Sequence, residues 1–219
     1  MYYALIGDLI GSKKLNAEQR HEAQEKLRAA LELVNREFEK GVASKFLITI
    51  GDECQGLMEP WGDPVAAALL VIHEMRPYRI RFAIGAGEIS TAIDPAAAIG
   101  ADGPAYHLAR RRVESMKSDH VARLRVALGD AALEESLNTV LALCDRVANY
   151  RTDKQEKLCF QMLMASFFGR KLTQTTLAER NGIGQSTVNA QLNAAGSSEH
   201  CDGMLFVRDS LSKYMNGRA

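Results

Sequence analysis

The sequence predicts an α+β protein in two parts. Residues 1–130 form a βαββαβ core lengthened by one more helix and strand, and residues 131–219 are all helical. Up to about residue 128, short apolar runs of strand character alternate with segments of helical periodicity. After Gly129 only helical periodicity remains. With 219 residues, 47% of them hydrophobic, the chain can bury a real core.

Residues 2–8 read as a buried strand, followed by the turn Gly11-Ser12-Lys13-Lys14-Leu15. Asn16 caps a long helix reaching about Lys40, with Glu18 in its first turn. Leu27, Leu31, Val34 and Phe38 give that helix one apolar stripe to lay on a sheet. Strands at 44–50 and 54–58 form a hairpin with Gly51-Asp52-Glu53 at its tip. Asp63 to Met75 is a second helix, ended by Pro77. Tyr78 to Ile89 is a strand whose Gly85 and Gly87 allow close backbone approach. A loop at about 94–104 leads to a helix from Pro104 to Met116, then a strand from His120 to Leu128. This order is that of a ferredoxin-like core with an extension. Helices follow at roughly 130–150, 153–168, 172–180, 185–194 and 204–215.

Lys+Arg and Asp+Glu are both 27, so no global basic field announces nucleic acid or an anionic membrane. The four cysteines, 54, 144, 159 and 201, form no CxxC motif and sit among apolar neighbours, as reduced thiols of a cytoplasmic protein do. No secretory leader and no apolar run of about 18 residues is present, so no membrane span is expected.

Two runs point to chemistry. Gly7-Asp8-Leu9-Ile10-Gly11 and Ile50-Gly51-Asp52-Glu53 each put an acid beside a glycine at the end of a strand-like segment. Asp and Gly also dominate ordinary turns. Two carboxylates at adjacent strand ends are nonetheless what a hard divalent cation needs, and such a cation carries nucleotide phosphates. Asp8 and Asp52 are therefore the expected ligands of Mg²⁺ or Mn²⁺. The turn Leu9, Ile10, Gly11, Ser12 and Lys13, or Lys14 in place of Lys13, is expected to receive phosphate through its amides and ammonium. Arg111 is placed to clamp a phosphate bidentately. Arg110-Arg111-Arg112 also reads as a solvated helix face paired with Glu114. Phe160, Met162, Met164, Phe167 and Phe168 read as helix-packing core.

Asp8-Leu9-Ile10-Gly11 resembles the metal- and phosphate-binding run of class III nucleotide cyclases, and Thr49-Ile50-Gly51-Asp52 resembles their hairpin. Gly-Asp-Glu is similar to the hairpin of diguanylate cyclases. Arg81-Phe82-Ala83-Ile84-Gly85 and Gly103-Pro104-Ala105-Tyr106-His107-Leu108-Ala109-Arg110-Arg111 are similar to a cyclase strand and the catalytic helix after it. The resemblance implies that Arg111 stabilises phosphate charge and that His107 stands where cyclases carry a catalytic asparagine. Ile48 takes the place of the purine-reading lysine, and Gly100 that of its partner. Binding, or different phosphate chemistry, is thus implied more than cyclisation. The resemblance also implies a homodimer in which Arg111 faces the other chain. Most of the chain is similar to the SatD-like family of bacterial proteins, through Met1 to Lys14, Ile50 to Leu57 and Ile99 to Tyr106, with Cys54 where that family usually has phenylalanine.

Leu172 to Leu192 reads as helix, tight turn, helix, with Leu177, Ala178, Val188 and Leu192 facing in and Ile183 plugging the turn. Over 172–194 this resembles a helix-turn-helix reader of double-stranded DNA. Arg180, Gln185, Ser186, Thr187 and Asn189 are its candidate DNA contacts. Residues 181–207 contain no Lys or Arg, and 153–219 holds eight basic and six acidic residues, a weak basic balance. A small packing or dimerising helical module fits the same pattern. The expected function is a cytoplasmic bacterial regulator coupling a metal–nucleotide, or other phosphorylated-ligand, domain to a DNA reader. An enzyme of nucleotide phosphoryl chemistry, or a degenerate scaffold acting through protein contacts, is the alternative.

Overall fold

The central strand is β1 (Tyr2–Leu9), and every residue of it after Tyr2 is buried. We describe the protein from a computed structural model, for residues 1–119 and 121–217. The remaining strands are β2 (Val42–Ile48), β3 (Glu53–Met58), β4 (Ile80–Gly87) and β5 (Leu124–Ala127). One sheet runs in the order β2-β3-β1-β4-β5. The pairs β2–β3, β3–β1 and β1–β4 are antiparallel, and β4–β5 is parallel. Helices α1 (Ala17–Glu37), α2 (Pro64–Glu74) and α3 (Pro104–Ser115) cover the sheet. Five more follow: α4 (Ala131–Asn149), α5 (Asp153–Phe167), α6 (Gln174–Asn181), α7 (Gln185–Ala194) and α8 (Ser197–Asn216). The fold class is mixed α+β.

Asn16 caps α1 as expected, accepting from the Gln19 amide while the Gln19 side chain accepts from the Asn16 amide. The stripe Leu27, Leu31, Val34 and Phe38 is buried. The helix stops at Glu37 rather than Lys40, because residues 39–41 tighten into a 3-10 turn in which Gly41 N–H donates to Phe38 O. The last strand starts at Leu124, later than expected, and His120 lies outside the described residues.

Side-chain alternation sorts the two faces of the sheet. Ala4 and Ile6 of β1 and Ala83 of β4 pack with Ala105, Ala109 and Val113 of α3. Gly85, on that same face, brings β4 against α3 so closely that a Cβ there would lie 2.1 Å from Ala105 O. Helix α3 thus covers this face along β4, and Arg81, on the same face, is buried with it.

Asp63 caps α2, its carboxylate accepting from Ala66 N–H at 2.9 Å. Burial pushes this carboxyl up to about 6, against the pull of its amide bonds and of Arg208, with Asp209 adding to the rise. A carboxyl whose folded pKa is raised binds its proton more tightly when folded, so its contribution to stability grows as pH falls from about 6 toward 4. Asp63→Asn keeps the cap and removes the buried charge. It is expected to flatten the pH dependence of the melting temperature over that window and raise it at pH 7. Each ~1 kcal/mol recovered moves the midpoint by about 2–4 °C.

The chain divides into two compact units: residues 1–138 with 208–219, and residues 139–207. The closing stretch belongs to the first unit, where Tyr214 Oη accepts from Gly129 N–H at 3.0 Å. In the second unit Leu158, Cys159, Leu177, Ala178, Val188, Leu192 and Ala195 form one core, with Met162 and Leu172 packed against it. The remaining aromatic and Met residues expected in that core are only half-buried, and Phe168 is 37% exposed beneath the Arg170 guanidinium. All four cysteines are free thiols, with Cys54, Cys144 and Cys159 buried. Among the described residues no helix is long and apolar enough to cross a membrane.

Candidate functional site: acids and guanidinium groups at one end of the sheet

Asp8 occupies the last position of β1 that faces α3. Its direct cross-strand neighbours are Glu53 on β3 and Arg81 on β4, so a row of three charges crosses three strands on one face. Arg81 Nε stands 3.4 Å from Asp8 Oδ2, and Arg81 Nη1 donates to Met116 O at 2.6 Å, at the end of α3. Arg81 Nε is buried and, among the described residues, has no hydrogen-bond partner. Arg110 reaches from α3 to Glu53. Burial pushes the Asp8 carboxyl up from its ordinary range; Lys117 and Arg81 pull it back, while Asp52 and Glu53 add to the rise.

On the other face lies the turn after β1. Gly11 takes the left-handed conformation at φ 77, which lets the chain enter the 3-10 turn Ser12–Lys14. Leu9 N–H donates to Asp52 O and Ile10 N–H to Arg79 O. The amides expected to hold phosphate at Leu9 and Ile10 are therefore spent on the sheet end. Gly11, Ser12 and Lys13 remain as the part of the turn beside open space. A cleft of about 210 Å³ opens there, lined by Ser12, Lys13 and Asp52 with Arg20 and Gln24 of α1, over a floor of Leu9 and Leu27. Gln24 Nε2 ties α1 to the hairpin tip by donating to Gly51 O at 3.1 Å. Arg20 and Gln24 belong to no motif of the sequence. Their spacing with Leu27, at i, i+4 and i+7, is the signal that puts them on one helix edge.

The two acids expected to share a cation have their backbones side by side but face apart. Leu9 sits opposite Asp52 and Asp8 opposite Glu53, so alternation gives Asp8 and Glu53 one face and Asp52 the other. The carboxylate oxygens are the right donors for Mg²⁺ or Mn²⁺, which keep several waters and take phosphate oxygens to complete a shell. Among the described residues no three His, Cys, Asp or Glu side chains gather into one coordination group. Asp8 with Glu53, on one face, thus fits a cation whose remaining ligands come from water and substrate, and Asp52 offers a single carboxylate to the other face.

Arg111 is exposed. Successive residues of a helix point about 100° apart, and Ala105, Ala109 and Val113 mark the buried side of α3, so Arg111 projects away from the sheet. Arg112 pairs with Glu134, whose other carboxylate oxygen accepts from Leu128 N–H at 2.6 Å. His107 Nε2 lies 2.7 Å from Asp102 Oδ1 near the start of α3. It stands nine residues, or about 13 Å of helix rise, from Met116 at the Asp8 end. The structure does not bring His107 to Asp8.

In the second unit α6 and α7 are joined across Gly182–Gly184, with Gly182 left-handed at φ 63. Ile183 does not plug the turn. It is 39% exposed, and the turn is closed instead by its amide donating to Ala178 O at 3.1 Å. Arg180, Gln185, Ser186, Thr187 and Asn189 are all exposed. Gln185 and Asn189 are linked through Gln174, with Gln185 Nε2 donating to Gln174 Oε1 and Gln174 Nε2 to Asn189 Oδ1, each at 3.2 Å.

A mixed sheet with acids and guanidinium groups gathered at one strand end, in one chain with an all-helical unit, defines a two-unit α+β protein with a charged strand-end site. Its family is settled by the sequence as a whole. The model of the SatD family matches residues 2–199, and the chain belongs to the SatD family. No match was found among curated proteins.

Proposed function

We propose that the protein is a regulator in which a ferredoxin-like, nucleotide-cyclase-like unit binds a metal–nucleotide complex, or another phosphorylated ligand, and a helix-turn-helix of the second unit reads double-stranded DNA. One observation carries the first half. The antiparallel order β2-β3-β1-β4 brings the end of β1 and the hairpin tip together, so that Asp52 lines a cleft with Lys13 and Arg20 while Asp8 and Glu53 meet on the opposite face of the same strand end. A bound divalent cation supplies charge neutralisation and polarisation of phosphate oxygens. Asp8 with Glu53 on one face, and Asp52 on the other, are the carboxylates that would hold it; Lys13 and Arg20 would anchor phosphate on the Asp52 side, with Leu9 and Leu27 beneath the rest of the ligand. For the second half, the support is the α6–turn–α7 pair with a polar outer helix. Arg111, turned to solvent, suits a role toward a second copy in a homodimer, which a gel-filtration mass of one chain at high concentration would exclude.

The test is the melting temperature with Mn²⁺ and each common nucleotide, for wild type and Asp52→Ala. Ligand at ~100 times its Kd stabilises the native state by about 2.7 kcal/mol, or about 5–10 °C here, and Asp52→Ala is expected to lose that shift. No shift with any nucleotide would leave a scaffold acting through protein contacts. That second reading is favoured by the guanidinium partners that Asp8 and Glu53 already possess. Asp52 is the residue to vary, because Asp8→Ala would strand the buried Arg81 charge and destabilise the chain for that reason alone. DNA binding is expected to weaken steeply with salt and to fall on Arg180→Ala.

A further inference from the structure

We propose that Arg110 is an exchangeable counter-ion. It holds Glu53 in the free chain and passes to the phosphoryl group of the ligand when a divalent cation takes the carboxylates. Cation and phosphate then bind together, and neither binds well alone. The inference deepens the phosphorylated-ligand reading above and rests on it.

Asp8 and Glu53 are cross-strand neighbours on one face, and each comes with its own guanidinium. The two guanidinium groups are not equivalent. The Arg81 side chain is 5% exposed and is held at its far end by Met116 O. The Arg110 side chain is 47% exposed and, among the described residues, Glu53 is its one hydrogen-bond partner. Arg81 is therefore a fixed charge and Arg110 a mobile one.

The pairing at Asp8 is also incomplete. Arg81 Nε is buried and aimed at the carboxylate without making a hydrogen bond. Asp8 thus keeps acceptor capacity for another partner. With Arg110 on Glu53, a cation approaching the two acids meets two guanidinium charges and a neighbouring ammonium, Lys117. The face has little attraction for a cation alone. It has little for an anion alone either, because Asp8 and Glu53 answer Arg81 and Arg110, and Glu114 pairs with Lys117. A phosphate arriving with the cation changes both terms: Arg110 leaves Glu53 for a bidentate contact with phosphate oxygens, and Glu53 is released to the cation. Coupling of this kind is reciprocal, so phosphate must raise cation affinity by the factor by which the cation raises phosphate affinity. A guanidinium serving only as a surface ion pair would add little to the fold and would give no phosphate enhancement of cation binding.

The experiment counts free Mn²⁺ by electron paramagnetic resonance over the full chain, with and without phenyl phosphate, a monoester that chelates Mn²⁺ weakly on its own. Wild type is expected to bind Mn²⁺ weakly alone and more tightly with the phosphate. Arg110→Ala is expected to bind Mn²⁺ alone about fivefold more tightly than wild type, the factor an exposed ion pair of ~1 kcal/mol represents, and to lose the phosphate enhancement. Glu53→Gln is expected to weaken Mn²⁺ binding with and without phosphate. If Arg110→Ala matches wild type for Mn²⁺ alone and keeps the enhancement, the exchange is wrong while the metal–phosphate reading stands. If neither protein removes Mn²⁺ from solution under either condition, both fall together.

Discussion

Gly85→Ala is expected to be the most damaging single methyl group that can be added to this chain. A Cβ at Gly85 would stand 2.1 Å from Ala105 O and 2.7 Å from Ala109 N, which are backbone atoms of α3 and have no rotamer to yield. The helix must lift off β4, and with it goes the packing of Ala105, Ala109 and Val113 on Ala4, Ile6 and Ala83. Overpacking of this kind costs about 3 kcal/mol or more, since interiors are already close to crystal density. The natural control is Gly184→Ala, whose Cβ would meet its nearest neighbours, Thr187 Oγ1 and Ser186 Oγ, only at ordinary contact distances of 3.7 and 3.8 Å. Calorimetry of the two variants should therefore show a loss at Gly85 far larger than at Gly184. Equal losses would mean that α3 is not seated on the β4 backbone as described.

Glycines mark both where the sequence could be read and where it could not. Gly85 and Gly87 announced a close approach because they interrupt an apolar strand, and the structure puts α3 there. Gly203 gives the opposite case. The sequence places the last helix at 204–215, whereas α8 begins at Ser197. A Cβ at Gly203 would meet Cys144 Sγ at 2.6 Å, so the glycine serves packing on α4 and does not break the helix.

The same division holds at the site. The place of Asp8 at a strand end was legible because an apolar run leads into it. Glu53 was not, because strand register decides which of two neighbouring acids shares a face with Asp8, and a slip of one residue reverses the answer. The order β3-β1-β4, which no local pattern encodes, is what sets Arg81 beside Asp8. The choice among Arg110, Arg111 and Arg112 was in principle readable. Ala105, Ala109 and Val113 fix the phase of α3, and that phase turns Arg111 outward and leaves Arg110 at the sheet edge.

The second large effect is expected at Arg151, which no motif marks. Its side chain is 3% exposed and spans the second unit from inside. Nε donates to Ala195 O at 3.0 Å, Nη2 to Gly196 O at 3.5 Å, and Nη1 to Glu156 Oε2 at 3.4 Å. One guanidinium thus fastens the turn after α7 to the first turn of α5, and it supplies the charge that Glu156, itself buried, faces there. Arg151→Met keeps much of the volume but leaves that carboxylate without this cation and two carbonyls without these donors. Removing one partner of a buried ion pair costs about 3–5 kcal/mol. Hydrogen exchange at the amides of α5 and α7 should accelerate accordingly while the amides of β1 and β4 keep their protection, because those strands lie in the other unit. Adding Glu156→Gln to Arg151→Met should recover part of the loss, since the stranded charge is then gone. If the double variant is as unstable as the single one, the damage lies in the lost carbonyl contacts at Ala195 and Gly196, and the ion pair contributes little to holding α7 in place.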